Sequence, residues 1–123
     1  MFARKLEPKE YWRAGLNMAV AFESPFEYGK ELEKSETARE NPLEGYYGAF
    51  PGEGEAPVAS VIMNKKQVRF DGHVLKMGGV GGVATLPAHR RGGAVRACME
   101  LALRDLYKEG CALSHLYPFS TAY

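Results

Sequence analysis

The sequence predicts a mixed α/β domain in which a run of antiparallel strands leads into one βαβ unit, and three observations carry that prediction. Between Gly45 and Thr85, short apolar stretches alternate with turn-forming clusters, as in a meander of strands. From Met77, a glycine-studded apolar stretch passes through Pro87 and a basic, glycine-rich turn into a strongly patterned helix. A further apolar stretch, Ala112–Tyr117, follows that helix, so strand, helix and strand imply a right-handed crossover with parallel pairing.

Taken in order, Leu6–Phe22 opens with Pro8, which a first helical turn tolerates, and places Tyr11, Ala14, Met18 and Phe22 at near-helical spacing. An amphipathic helix is expected there, with Trp12 and Phe22 in the core or a pocket wall. Glu27–Glu40 is dense in Glu and Lys, which fits a solvated second helix or a connection, and Asn41-Pro42 then punctuates the chain. Gly45–Phe50 reads as a strand, Pro51–Pro57 as a hairpin loop and Val58–Met63 as the next strand. Asn64-Lys65-Lys66 reads as a turn before a short strand Gln67–Phe70, and Asp71-Gly72 as the turn before a long strand His73–Thr85. The pairs Gly78-Gly79 and Gly81-Gly82 inside that strand signal a bulge or the close approach of a ligand or another chain. From Arg90 to Glu109, one stripe collects Val95, Cys98, Met99, Ala102 and Leu106, and Gly110 is placed to end the helix.

A chain of 123 residues is read as a single domain, able to bury about two thirds of the surface its unfolded form exposes. Hydrophobic residues at 46% and charged residues at 25% exclude a disordered chain and give no sign of a membrane protein. No apolar run reaches the roughly 18 residues of a membrane span, and the N-terminus turns charged at once, unlike a signal peptide. A cytoplasmic location is expected. Cys98 and Cys111 lack a metal-type spacing and read as buried, reduced thiols, with no metal site. Residues 1–60 hold seven Lys/Arg against eleven Asp/Glu, and residues 61–123 hold nine against four, so the halves carry −4 and +5. An acidic half suits a cationic substrate and a basic half a phosphorylated cofactor. A total near zero with few clustered basic residues argues against nucleic acid as a partner, and no membrane partner is expected.

The chemistry gathers in the turn before the long helix. A helix N-terminus carries N–H groups without intrahelical partners and the positive end of the macrodipole, so it receives anions. Gly92 and Gly93 let a phosphate come close, and Arg90, Arg91 and Arg96 add positive charge. His73, His89 and His115 form no dyad, and His115, inside an apolar stretch, reads as a satisfied core histidine. Ser114 and Ser120 lack the His-Asp arrangement of a serine hydrolase.

The order Val83-Ala84-Thr85-x-Pro87-x-x-Arg90-Arg91-x-Gly93, followed by an amphipathic helix, resembles motif A of the GNAT N-acetyltransferases, whose basic glycine turn wraps the pyrophosphate of acetyl-coenzyme A. Val95 stands where that motif has Gly or Ala, a departure that the Eis-like branch tolerates. The Arg90-Arg91 pair and the segment Tyr117-Pro118-Phe119-Ser120 resemble the same branch. The resemblance implies that Val83, Ala84, Thr85, Arg90, Arg91, Gly92, Gly93, Ala94, Val95 and Arg96 bind acetyl-coenzyme A, with Phe119 and Ser120 beside its pantetheine arm. It implies a strand that splays so that N–H groups near Val83–Thr85 face the acetyl carbonyl. Acetyl transfer to the amine of a small molecule, aminoglycoside-like or polyamine-like, would be the activity.

In that family another helix and further strands follow the position of Ala112–Tyr117. Residues 1–123 therefore read as a GNAT-like domain lacking its C-terminal elements, with an uncovered strand edge that favours a homo-oligomer. The general-acid tyrosine of Eis-like enzymes would fall just past the last residue, which leaves Tyr123 as the catalytic candidate. A non-catalytic module that binds the cofactor, or keeps only the scaffold, is the alternative.

Overall fold

A computed structural model describes residues 1–117, and in it a single mixed sheet organises the chain. The elements are β1 (Phe2–Lys5), a 3₁₀ turn (Pro8–Glu10), α1 (Tyr11–Ala21), α2 (Tyr28–Thr37), β2 (Glu44–Phe50), β3 (Ala59–Phe70), β4 (His73–Thr85), a second 3₁₀ turn (Pro87–His89), α3 (Ala94–Lys108) and β5 (Leu113–His115). The strands lie in the order β1-β2-β3-β4-β5. Neighbours from β1 to β4 are antiparallel, and β4 and β5 are parallel. The meander and the βαβ unit are thus both present.

β1 is an addition to the expected strands, because four residues with two charges carry little strand signal; it is held by its ladder to β2 and by Phe2 stacked on Phe50, ring centroids 5.4 Å apart. The first helix starts later than expected. Leu6 continues the strand edge, its N–H donating to the Tyr46 carbonyl, and Glu7 with Glu10 forms a capping box over the 3₁₀ turn. Glu10 also receives Arg4 at 2.7 Å, a hydrogen bond that holds its carboxyl below the usual range. The solvated segment is a helix, α2, tied to α1 where the Trp12 N–H donates to the buried Ser35 hydroxyl.

The turn expected at Asn64-Lys65-Lys66 is absent. β3 runs straight through these residues, which pair with Gly79, Gly78 and Met77. β2 stops opposite Asn64, so from Lys65 onward the β3–β4 hairpin extends past its neighbour and polar residues cost little there.

α3 covers one face of the sheet. Its buried stripe, Ala94, Cys98, Ala102 and Leu106, packs with Tyr47, Val61 and Met63. The Tyr47 hydroxyl donates to Asp105 at 2.9 Å, joining β2 to α3; burial first, and then that bond, raise its pKa far above the ordinary value. Gly110 ends the helix with φ 82°, the Gly110 and Cys111 N–H groups reaching back to Tyr107 and Leu106 as in a Schellman motif. Cys98 and Cys111 are both free, and burial pushes the Cys98 thiol up to about 12. Alkylation of the native protein at neutral pH should therefore label Cys111 and spare Cys98 until denaturant is added, as read by intact mass. No helix among the described residues is long and apolar enough to cross a membrane.

Candidate functional site

The site begins with a register defect. Ser60 pairs with Ala84 and Ile62 with Gly81, so Gly82 and Val83 both stand opposite Val61. This is a β-bulge on β4, and Gly82 takes φ 55° to make it. The expectation drawn from the paired glycines is met at this residue. β5 pairs only with Met77–Gly79, so from Val80 onward the facing edge of β4 has no strand partner among the described residues. Two parallel strands part at this point, and a cleft of about 840 Å³ opens between them.

The far wall of the cleft is the turn into α3. Arg91 has φ 64° and Gly93, the N-cap of α3, has φ 81°, while Gly92 between them has no positive φ. Alternation of this kind aims successive N–H groups into one concavity. Among the described residues, no backbone or side-chain acceptor meets the N–H groups of Arg91 to Arg96, and no side chain caps the helix. Its first turn contains no acidic residue. Arg90 and Arg91 instead lie at the positive end of the macrodipole, where cations are disfavoured. Only an anion reverses the sign of that arrangement.

Most of the residues picked out in the sequence converge here. Val83, Ala84 and Thr85 line the cleft from β4, and Arg90, Arg91, Gly93, Ala94 and Val95 line it from the turn and helix. Gly92 lies in the same turn without lining the cleft. The Arg96 side chain runs along α3 to Glu100 at 2.9 Å, so only its N–H serves the concavity. Phe119, Ser120 and Tyr123 lie outside the described residues.

Sequence reasoning placed Phe22 in the core or a pocket wall and missed the rest of the apolar side of the cleft. Phe22 at the end of α1, Met99 one turn into α3, and Leu116 and Tyr117 after β5 all line it. Helical spacing marked Phe22 and Met99 as apolar positions but could not tell a cleft wall from the core. His115 is half-buried, and its Nδ1 is covered with no hydrogen-bond partner among the described residues. No group of three metal-ligating side chains gathers among the described residues.

A family model described as an acetyltransferase (GNAT) domain matches residues 3–123. No curated protein matches the chain significantly. Among solved structures, the chain is similar to a conserved protein from Enterococcus faecalis V583 described as a probable N-acyltransferase, at 28% identity and a TM-score of 0.79, covering 98% of this chain and 29% of that one. An acetyltransferase from Trypanosoma brucei shares the fold at 18% identity and a TM-score of 0.75, covering 98% and 83%. Glucosamine-6-phosphate N-acetyltransferase from Arabidopsis thaliana does so at 15% identity and a TM-score of 0.74, covering 98% and 82%. The chain spans less than a third of the Enterococcus protein and about four fifths of the other two.

Proposed function

The chain belongs to the acetyltransferase (GNAT) domain family, and we propose that it binds acetyl-coenzyme A at the Arg90–Val95 turn and transfers the acetyl group to the amine of a small molecule. The observation that carries this reading is the run of N–H groups from Arg91 to Arg96 that have no partner among the described residues, beside Arg90 and Arg91 at the start of α3. The residues fit a pyrophosphate: the backbone donors converge, Gly92 and Gly93 keep side chains out of their way, and Arg90 and Arg91 add charge. Acetyl-coenzyme A would supply an activated thioester. The edge of β4 beyond Gly79, which has no strand partner among the described residues, offers backbone donors to an acyl carbonyl, held in place by the bulge rather than by a mobile side chain. The apolar wall of Val80, Met99 and Leu116 keeps water from the arm of the cofactor.

Within the family, the Eis-like branch is supported by Arg90-Arg91 and by Val95, which lines the cleft at the first turn of α3. An aminoglycoside-like or polyamine-like acceptor is supported by the acidic balance of residues 1–60, which include α1 and α2.

Calorimetric titration tests the cofactor site. Arg91→Ala should weaken acetyl-coenzyme A by roughly 10- to 100-fold, the loss of a charge-assisted hydrogen bond of about 1.5–3 kcal/mol. Gly93→Glu should abolish measurable binding, since it forces a side chain onto φ 81° and sets a carboxylate beside the anion. Wild-type affinity in both variants would remove the assignment. Binding without thioester turnover would leave a cofactor-binding module.

A further inference from the structure

On the face of the sheet away from α3, β4 presents no side chain at two successive same-face positions, Gly79 and Gly81. Gly78 points the other way, toward Leu106 of α3. A Cβ at Gly81 would have one neighbour within 4 Å, Asn64 Nδ2 at 3.8 Å, so the space above it is open. A Cβ at Gly79 would come within 3.0 Å of His115 Cε1 and 3.5 Å of its Nδ1, so that edge of the imidazole lies over the glycine. The registers account for this, because Gly79 pairs with Asn64 on one side and with His115 on the other, and paired residues share a face. Met18 of α1 and Ile62 close the far end beside Gly82. The result is a slot with a glycine floor, an amide on one side and an imidazole on the other. Gly81 also lines the cleft, so the two spaces are continuous.

His115 is the last residue of β5 to pair with β4, at the apex from which the strands part. Burying a polar atom without a partner is costly, and the Nδ1 of His115 is such an atom among the described residues. We propose that the slot receives the reacting nitrogen of an unhindered primary amine, with Asn64 orienting it and the His115 imidazole taking its proton; this rests on the acetyl-transfer reading above. An acceptor arrives as an ammonium. His115 removes one proton and frees the lone pair, the C–N bond forms as the C–S bond breaks, and the remaining surplus proton on nitrogen passes to the departing thiolate. Charge and protons balance without any further reactant.

The test uses the full chain, acetyl-coenzyme A, and spermidine and kanamycin as probe amines. His115→Gln should bind acetyl-coenzyme A within about twofold of wild type by calorimetry and lose roughly 100-fold or more in turnover. Imidazole added to the buffer should restore turnover of His115→Ala in a saturable way, which a merely structural role for His115 would not produce. If a His115 variant fails to fold, Asn64→Ala carries the test, and it should raise the KM for amine while leaving that for acetyl-coenzyme A unchanged. Wild-type turnover in His115→Gln, absence of imidazole rescue, or an unchanged amine KM in Asn64→Ala overturns the proposal. So does a wild-type chain that binds acetyl-coenzyme A and acetylates neither amine. A wild-type chain that does not bind acetyl-coenzyme A fails the cofactor reading itself, and the slot falls with it.

Discussion

Gly82→Val is expected to lower turnover by roughly 100- to 1,000-fold, the usual cost of misplacing an oxyanion donor, while acetyl-coenzyme A still binds. Gly82 holds φ 55°, which a β-branched residue avoids, and a Cβ there would meet Met18 Sδ at 2.7 Å and Ile62 Cδ1 at 2.8 Å. Both neighbours are ends of flexible side chains, so the chain can fold around the change. Its backbone should relax toward an extended φ, which undoes the bulge and moves the backbone donors that follow it relative to the cleft. The Arg90–Gly93 turn lies beyond Pro87 and keeps its own geometry. Measuring kcat beside calorimetric affinity separates the two, and a wild-type kcat would show that the bulge does not aim the donors.

Gly78→Val should destabilise the fold by about 2–3 kcal/mol. A Cβ at Gly78 would overlap the methyl groups of Leu106, a residue 4% exposed in the core between α3 and the sheet. β4 is paired on both sides at this position and cannot shift away. Leu106→Ala alone should cost about 2–5 kcal/mol through its cavity. Combined, the two should cost clearly less than their sum, because the new side chain occupies the space that leucine leaves. Urea denaturation of the three variants measures this, and strict additivity would mean that the clash is not the cause.

How much could be read in advance depended on whether the deciding contact was local. The bounds of β4 and the buried stripe of α3 were legible because turn chemistry and 3.6-residue periodicity act within a few residues. The anion turn was legible for the same reason, its glycines and arginines being consecutive. β1 was not, since a short strand at a sheet edge is decided by Phe50 and its neighbours far along the chain. The false turn at Asn64-Lys65-Lys66 came from treating polar residues as punctuation, when a hairpin extending past β2 accepts them. The Tyr47–Asp105 bond spans 58 positions, and the place of His115 over Gly79 needs the parallel register of β5. No local pattern encodes either.

The uncapped start of α3 also makes the lifetime of the protein depend on what it binds. Amides of this turn and first helical turn that have no acceptor among the described residues exchange with solvent readily. An anion that satisfies these groups binds the folded chain and not the unfolded one, so it stabilises the fold in proportion to the logarithm of its concentration, by about 2.7 kcal/mol at a hundred times its dissociation constant. A gain of that size changes how often a protease or chaperone meets an open chain. In a cell, the abundance of the protein would then rise and fall with the supply of that anion.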